Sequence, residues 1–211
     1  MSELAEQVLS AARALPEGGL LLPKAFAHLG TRAAVDKTLS RLAQEGALLR
    51  VSRGVYVAPC RGRFGTRPPS VESVLRAIET QLGEPVVASG AAEASALGLT
   101  TQAPIREVFL TSGAPRVLHL GGLRVEIRRG SRWQLMLGRR PAGQAIRALE
   151  WLGPQAAPAA LDQLHASLPT AEVEAMRSAR AALPGWLAKV VSEALPVTAA
   201  ASPGSASAAR L

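Results

Sequence analysis

Glu126 and Arg128, one residue apart in a β-prone run, come nearest in this chain to a metal-nuclease signature. Nucleases of that kind place an acid and a lysine on one strand so that a divalent cation and a scissile phosphate meet between them. Here arginine stands in the lysine position, and no second acid is placed to complete a Mg²⁺ site. His28, His119 and His165 are scattered, there is no HExxH pattern, and Cys60 is the only cysteine. An intrachain disulfide, a CxxC pair and a thiolate zinc site are therefore excluded. Phosphate-cradling GxxxxGK[ST] and GxGxxG loops are missing, as is a GxSxG nucleophile elbow. The expectation is a protein with no catalytic residue, no metal and no cofactor, a nuclease centred on Glu126 being the enzymatic alternative.

The other residue types able to do chemistry are cations. The chain has 211 residues, 24 Lys and Arg against 16 Asp and Glu, and a net charge of +8. Such a balance favours a polyanionic partner, provided the charge is concentrated where a partner can meet it. One concentration holds Thr31, Arg32, Lys37, Ser40 and Arg41, followed by Arg50 and Arg53. Lys37 and Arg41 are one helical turn apart, opposite Val35, Leu39 and Leu42. Long cations on the free face of a helix can hold phosphates, and polar groups near its N-terminus can meet base edges in a major groove. Arg50 and Arg53 fall where a hairpin tip reaches an adjacent groove or backbone. A second concentration includes Arg116, Arg124, Arg128 and Arg129, with Arg132, Arg139 and Arg140 beyond. Strand alternation would put Arg124, Glu126 and Arg128 on one face, either a second nucleic-acid surface or a solvated sheet face.

The elements that must position these residues follow from periodicity and punctuation. Leu4, Ala5, Val8, Leu9, Ala12 and Leu15 recur at helical spacing over 2–15, and Pro16, Gly18 and Gly19 end the pattern. Pro23 opens a short second helix that stops at Gly30. Thr31 offers an N-cap hydroxyl to a third helix, closed by Gly46. Runs 47–51 and 55–58, on either side of Ser52, Arg53 and Gly54, predict a hairpin. Three helices and a hairpin are the element order of a winged helix-turn-helix over residues 1–59. Residues 60–69, CRGRFGTRPP, read as an interdomain linker.

A second, mixed α/β domain is expected over 70–195, which makes the chain α+β. Ser70 caps its first helix, strands follow at 86–88 and 106–111, and Gly121-Gly122 joins strands 116–120 and 123–128. Helices are expected at 142–152, 159–168, 170–183 and 185–195. Thr100, Thr101 and Gln102 either cap a helix end or bind a ligand. Trp133, Trp151 and Trp186 are too dispersed for a stacking platform and read as packing residues. The tail, 196–211, is Ala-, Ser-, Gly- and Pro-rich and is expected to be disordered. The acidic start MSELAEQVLSAARALPEG predicts no secretory leader, and no run is long and apolar enough to span a membrane. A cytoplasmic protein fits the single cysteine.

The run AVDKTLSRLAQEGALLRVSRGVYVAP, together with SGAAEASALGLTTQAP and VFLTSGAPRVLHLGGLRVEIRR, resembles the AbiEi family of antitoxins from type IV toxin–antitoxin systems. The likeness spans about residues 1–195 and includes a small-residue helix, LGLTTQ-P, a strand ending in T-x-G, and a basic hairpin. In that family the helix often carries Asn where this chain has Ser95. The resemblance implies a winged-helix head that represses its own operon by binding double-stranded DNA; because the head is small and offers few cationic contacts, dimeric or repeated sites are expected. It also implies a C-terminal domain that counteracts a nucleotidyltransferase-like toxin, direct contact with which is not required. A stand-alone transcriptional regulator with a ligand-sensing C-terminal domain is the other reading.

Overall fold

The computed structural model describes residues 2–63 and 65–196. Within it the first helix, α1, spans Glu3–Ala14 and buries Ala5, Val8 and Ala12. Its two first-turn glutamates, Glu3 and Glu6, complement the positive end of the helix dipole. A two-residue strand, β1, Leu20–Leu21, precedes a 3-10 helix over Pro23–Leu29, so the expected second helix is the tighter i→i+3 form. Helix α2 spans Arg32–Gln44, with the Thr31 hydroxyl accepting the Ala34 N–H at 3.3 Å. Strands β2, Leu49–Ser52, and β3, Val55–Val57, complete the head.

These three strands form an antiparallel sheet in the order β1-β3-β2. Helix, edge strand, short helix, second long helix and hairpin, in that sheet order, is the arrangement of a winged helix. The core beneath it gathers Val8, Phe26, Val35, Leu39, Leu42 and Leu48. The wing is short: Arg53 and Gly54 are its only loop residues, and the register slips between Arg50 and Ser52.

Residues 60–69, expected to be a flexible linker, instead contain a second hairpin, β4, Cys60–Gly62, and β5, Gly65–Arg67. Alternation could not reveal these strands, because no residue of either is buried. The head and the second domain are consequently joined by packing as well as by chain. Leu20, Val51 and Val57 of the head share one cluster with Val74, Leu75 and Ile78 of α3, Val71–Leu82, and with Leu118, Leu120 and Val125 of the next sheet. Gly18 lies against the start of α3 at φ +79°, where a Cβ would sit 2.5 Å from the Ser73 carbonyl carbon. Only glycine combines that conformation with that approach. The Gln81 side chain accepts the Leu20 N–H at 2.7 Å and donates to the Leu20 carbonyl at 3.4 Å, satisfying both backbone groups of an edge residue.

After α3 come β6, Val86–Ala88, α4, Gly90–Ala96, β7, Glu107–Thr111, β8, Arg116–Leu120, and β9, Leu123–Arg129. They make a four-stranded sheet in the order β6-β7-β9-β8, in which β7 and β9 run parallel. Its inner face carries Val86, Leu118, Leu120, Val125 and Ile127 against α3 and the head. A one-turn helix, α5, Arg132–Leu135, leads to α6, Pro141–His165, which breaks at Gly153 and restarts on Pro154 rather than at 159. Helix α7, Thr170–Ala179, continues as a 3-10 turn over Arg180–Ala182, and α8, Gly185–Ala194, closes the fold. These helices pack on one another around Ile146, Leu149, Leu161, Met176 and Leu187. The molecule is thus α+β with small sheets and C-terminal helices. No helix among the described residues is long and apolar enough to cross a membrane. Pro196 is described, but the rest of the expected disordered tail lies outside the described residues.

Candidate nucleic-acid interface

Helix α2 buries Val35, Thr38, Leu39 and Leu42 and turns Arg32, Ala33, Ala34 and Lys37 to solvent. Ser40 and Arg41 are half-buried at the edges of that arc. Arg32 pairs with Asp36 at 2.8 Å, and Arg41 with Glu45 at 2.9 Å, each one turn along the helix. Such exposed pairs contribute at most about 1 kcal/mol, so an incoming phosphate can take either guanidinium from its carboxylate. Lys37, Arg50 and Arg53 have no hydrogen-bond or ion-pair partner among the described residues. Arg50 is exposed while its neighbour Val51 is fully buried, and Arg53 forms the wing tip. The seven residues expected from the sequence therefore lie on α2, at its cap and on the wing.

The second cationic concentration divides. Arg124 and Arg128 share the outer face of β9 with Glu126, because Val125 and Ile127 between them are buried. Arg106 joins them: Arg128, Arg124 and Arg106 approach Glu126 at 2.6, 3.5 and 3.8 Å. The Arg128 hydrogen bond, above all, holds the Glu126 carboxyl below its usual range. That carboxylate is engaged by three guanidinium groups, and no group of three or more His, Cys, Asp or Glu that could hold a metal occurs among the described residues.

Arg116 does not belong to this face. It pairs with Ile127 in register, on the inner side, and its guanidinium meets Glu84 at 2.6 Å. Arg129 is exposed at the end of β9, on the parity of Val125 and Ile127. Arg139 binds Glu72 and Glu79, tying the stretch before α6 to α3, and Arg140 binds Glu172. Those arginines position backbone. Gln102 donates its backbone N–H to the Thr100 hydroxyl at 3.1 Å, which is a local turn contact. Trp133 and Trp186 pack on the helical core, whereas Trp151 is 41% exposed.

One charged pair that the sequence reading overlooked lies in the interior. Arg147 of α6 is 1% exposed and Glu93 of α4 is 5% exposed. They meet at 2.7 Å, and the same guanidinium donates to the carbonyls of Gln134 and Gly138 at 3.0 Å each. Gly90 allows α4 to lie directly on α6, since a Cβ there would collide with the Arg147 carbonyl. An arginine inside the apolar run AIRAL, matched by the one acid in GAAEASA, was the available signal.

The fold is an α+β body carrying an N-terminal head in the element order of a winged helix, with Arg32, Lys37, Arg50 and Arg53 exposed on its second long helix and hairpin. The chain belongs to a family of unknown function, DUF6088, whose model matches residues 7–168, from α1 to just beyond α6. Comparison with curated proteins and with solved structures finds no match to the chain.

Proposed function

We propose that the protein is a cytoplasmic, non-enzymatic DNA-binding regulator that represses its own operon, and that it serves as the antitoxin of a type IV toxin–antitoxin system. The observation that carries the DNA-binding part is the division of α2. Val35, Leu39 and Leu42 are buried, while Arg32 and Lys37 face solvent beside a wing bearing Arg50 and Arg53. A major groove admits such a helix, and its phosphates provide the counter-charge that Lys37, Arg50 and Arg53 lack within the protein. The head offers few cations, so a single copy binds modestly and repeated operator sites are expected. The antitoxin part rests on the LGLTTQ-P and hairpin resemblance, with a nucleotidyltransferase-like toxin as the functional partner. The outer face of β9, with Arg124 and Arg128, offers a second place for nucleic acid.

Footprinting on the DNA upstream of the protein's own gene tests the first half. Protection of repeated sites, weakened in Arg32→Ala, Lys37→Ala and Arg41→Ala, is the expected result. Equal protection by the wild type and all three variants overturns the assignment of α2. Rescue of cells expressing an adjacent nucleotidyltransferase-like gene tests the second half, and continued growth arrest refutes it.

A further inference from the structure

A cleft of about 510 Å³ opens between the C-terminal half of α1 and the hairpin β4–β5, at the junction of the head and the body. Leu9, Leu15, Ala47 and Ala58 contribute to its apolar lining. Its size lies within the range of small-molecule sites, and its lining is divided almost evenly between polar and apolar surface. Glu17 and Arg67, at one side, satisfy each other: the guanidinium donates to both carboxylate oxygens, at 3.0 and 3.2 Å, and the Ser70 N–H adds a third bond at 2.9 Å. Arg13 and Arg61 also line the cleft, are exposed, and have no partner among the described residues. The site therefore holds two guanidinium groups without a counter-ion beside an apolar trough, and its one carboxylate is already neutralised.

We infer that this cleft binds a small carboxylate or sulfonate with an aliphatic or aryl body, its anionic head held by Arg13 and Arg61 and its body lying between α1 and residues 47 and 58. Arginine forks suit an oxyanion head because two N–H groups can meet two oxygens at once. Cys60, whose thiol is pushed up by burial and then by the neighbouring Glu17 carboxylate, also lines the cleft. Ala47 follows α2 closely and Ala58 follows β3, so an occupant touches the segments that anchor both the reading helix and the wing. Only that consequence for DNA rests on the proposed function; binding itself does not.

The probe is 8-anilinonaphthalene-1-sulfonate, titrated by fluorescence into the full-length protein, with octanoate and octylamine as competitors. One saturable site, displaced by octanoate and not by octylamine, is expected. Arg13→Ala/Arg61→Ala should weaken probe affinity by about tenfold or more, as loss of charge-assisted bonds requires. Ala58→Trp, which fills the trough, should remove the site, and the distant Lys189→Ala should leave it intact; circular dichroism verifies that each variant is folded. Absence of saturable binding, wild-type affinity in the double arginine variant, or equal competition by octylamine overturns the inference. Since no DNA enters the assay, its failure is distinct from failure of the promoter footprint.

Discussion

Replacing Arg147 with methionine deletes a buried guanidinium that joins three parts of the body. It removes the 2.7 Å pair to Glu93 and the 3.0 Å bonds to the Gln134 and Gly138 carbonyls, while Met keeps much of the side-chain volume. Glu93, 5% exposed, is left as an uncompensated charge on α4. Breaking one side of such a pair costs about 3–5 kcal/mol, a large share of the 5–15 kcal/mol by which folded proteins are stable. For a chain of this size the melting temperature should fall by about 6–20 °C. Urea denaturation followed by circular dichroism gives the free energy directly, and a thermal scan gives the shift. The double variant Glu93→Met/Arg147→Met separates the cost of an orphaned charge from the worth of the pair. With both charges gone, apolar packing between α4 and α6 should recover most of the loss, leaving a coupling energy of several kcal/mol. An Arg147→Met protein within about 1 kcal/mol of wild type would refute the reasoning, because a carboxylate this deeply buried cannot lose its partner cheaply.

Two further perturbations probe how the head is docked. Gly18→Ala should destabilise by more than about 1 kcal/mol, since the new Cβ meets the Ser73 and Val74 backbone at a positive φ; limited proteolysis at the head–body junction should rise with it. Glu17, lowered to about 2 chiefly by the Arg67 hydrogen bond and then by the Ser70 N–H, should stay charged well into acid. A depressed carboxyl adds stability that is complete above its ordinary range near pH 4.5 and is lost as pH falls toward 2. Glu17→Gln should therefore be less stable than wild type at pH 6, and the gap should close between about pH 4.5 and 2. A gap independent of pH across that window, measured by parallel urea titrations, contradicts the assignment.

Much of the head was legible because its elements are long, periodic and punctuated. Pro16 and Gly18 mark the end of α1, and the Thr31 cap with Val35, Leu39 and Leu42 fixes both the start and the buried face of α2. Strand β1 escaped notice because two leucines carry no alternation; it exists because β3 pairs with it and Gln81 satisfies Leu20. Hairpin β4–β5 was hidden for the opposite reason, since its residues are polar or small and its pairing is a matter of backbone alone. The continuous core between head and body is a tertiary fact: Val51 and Val57 are as apolar in a lone winged helix as in one packed on α3.

Among the candidate site residues, those on α2 follow from helical spacing. Arg116 was misplaced by its nearness in sequence to other arginines, although it shares the parity of Leu118 and Leu120 and therefore faces inward. The Arg147–Glu93 pair joins residues 54 positions apart, a separation over which no local pattern operates. The cleft beside Arg13 and Arg61 likewise needs α1 and β4 to be brought together by the fold.

Binding to a promoter duplex as a function of salt tests the central claim most directly, because the number of phosphates neutralised sets the slope. If only the unpartnered Lys37, Arg50 and Arg53 engage, log K should fall with log salt at a slope of about −2.7 per head, and if Arg32 and Arg41 leave Asp36 and Glu45 to join them, about −4.5. Lys37→Ala/Arg50→Ala/Arg53→Ala should remove about 2.7 of that slope and most of the affinity. A wild-type slope retained in the triple variant, or no salt-dependent binding by the wild type, would contradict the account.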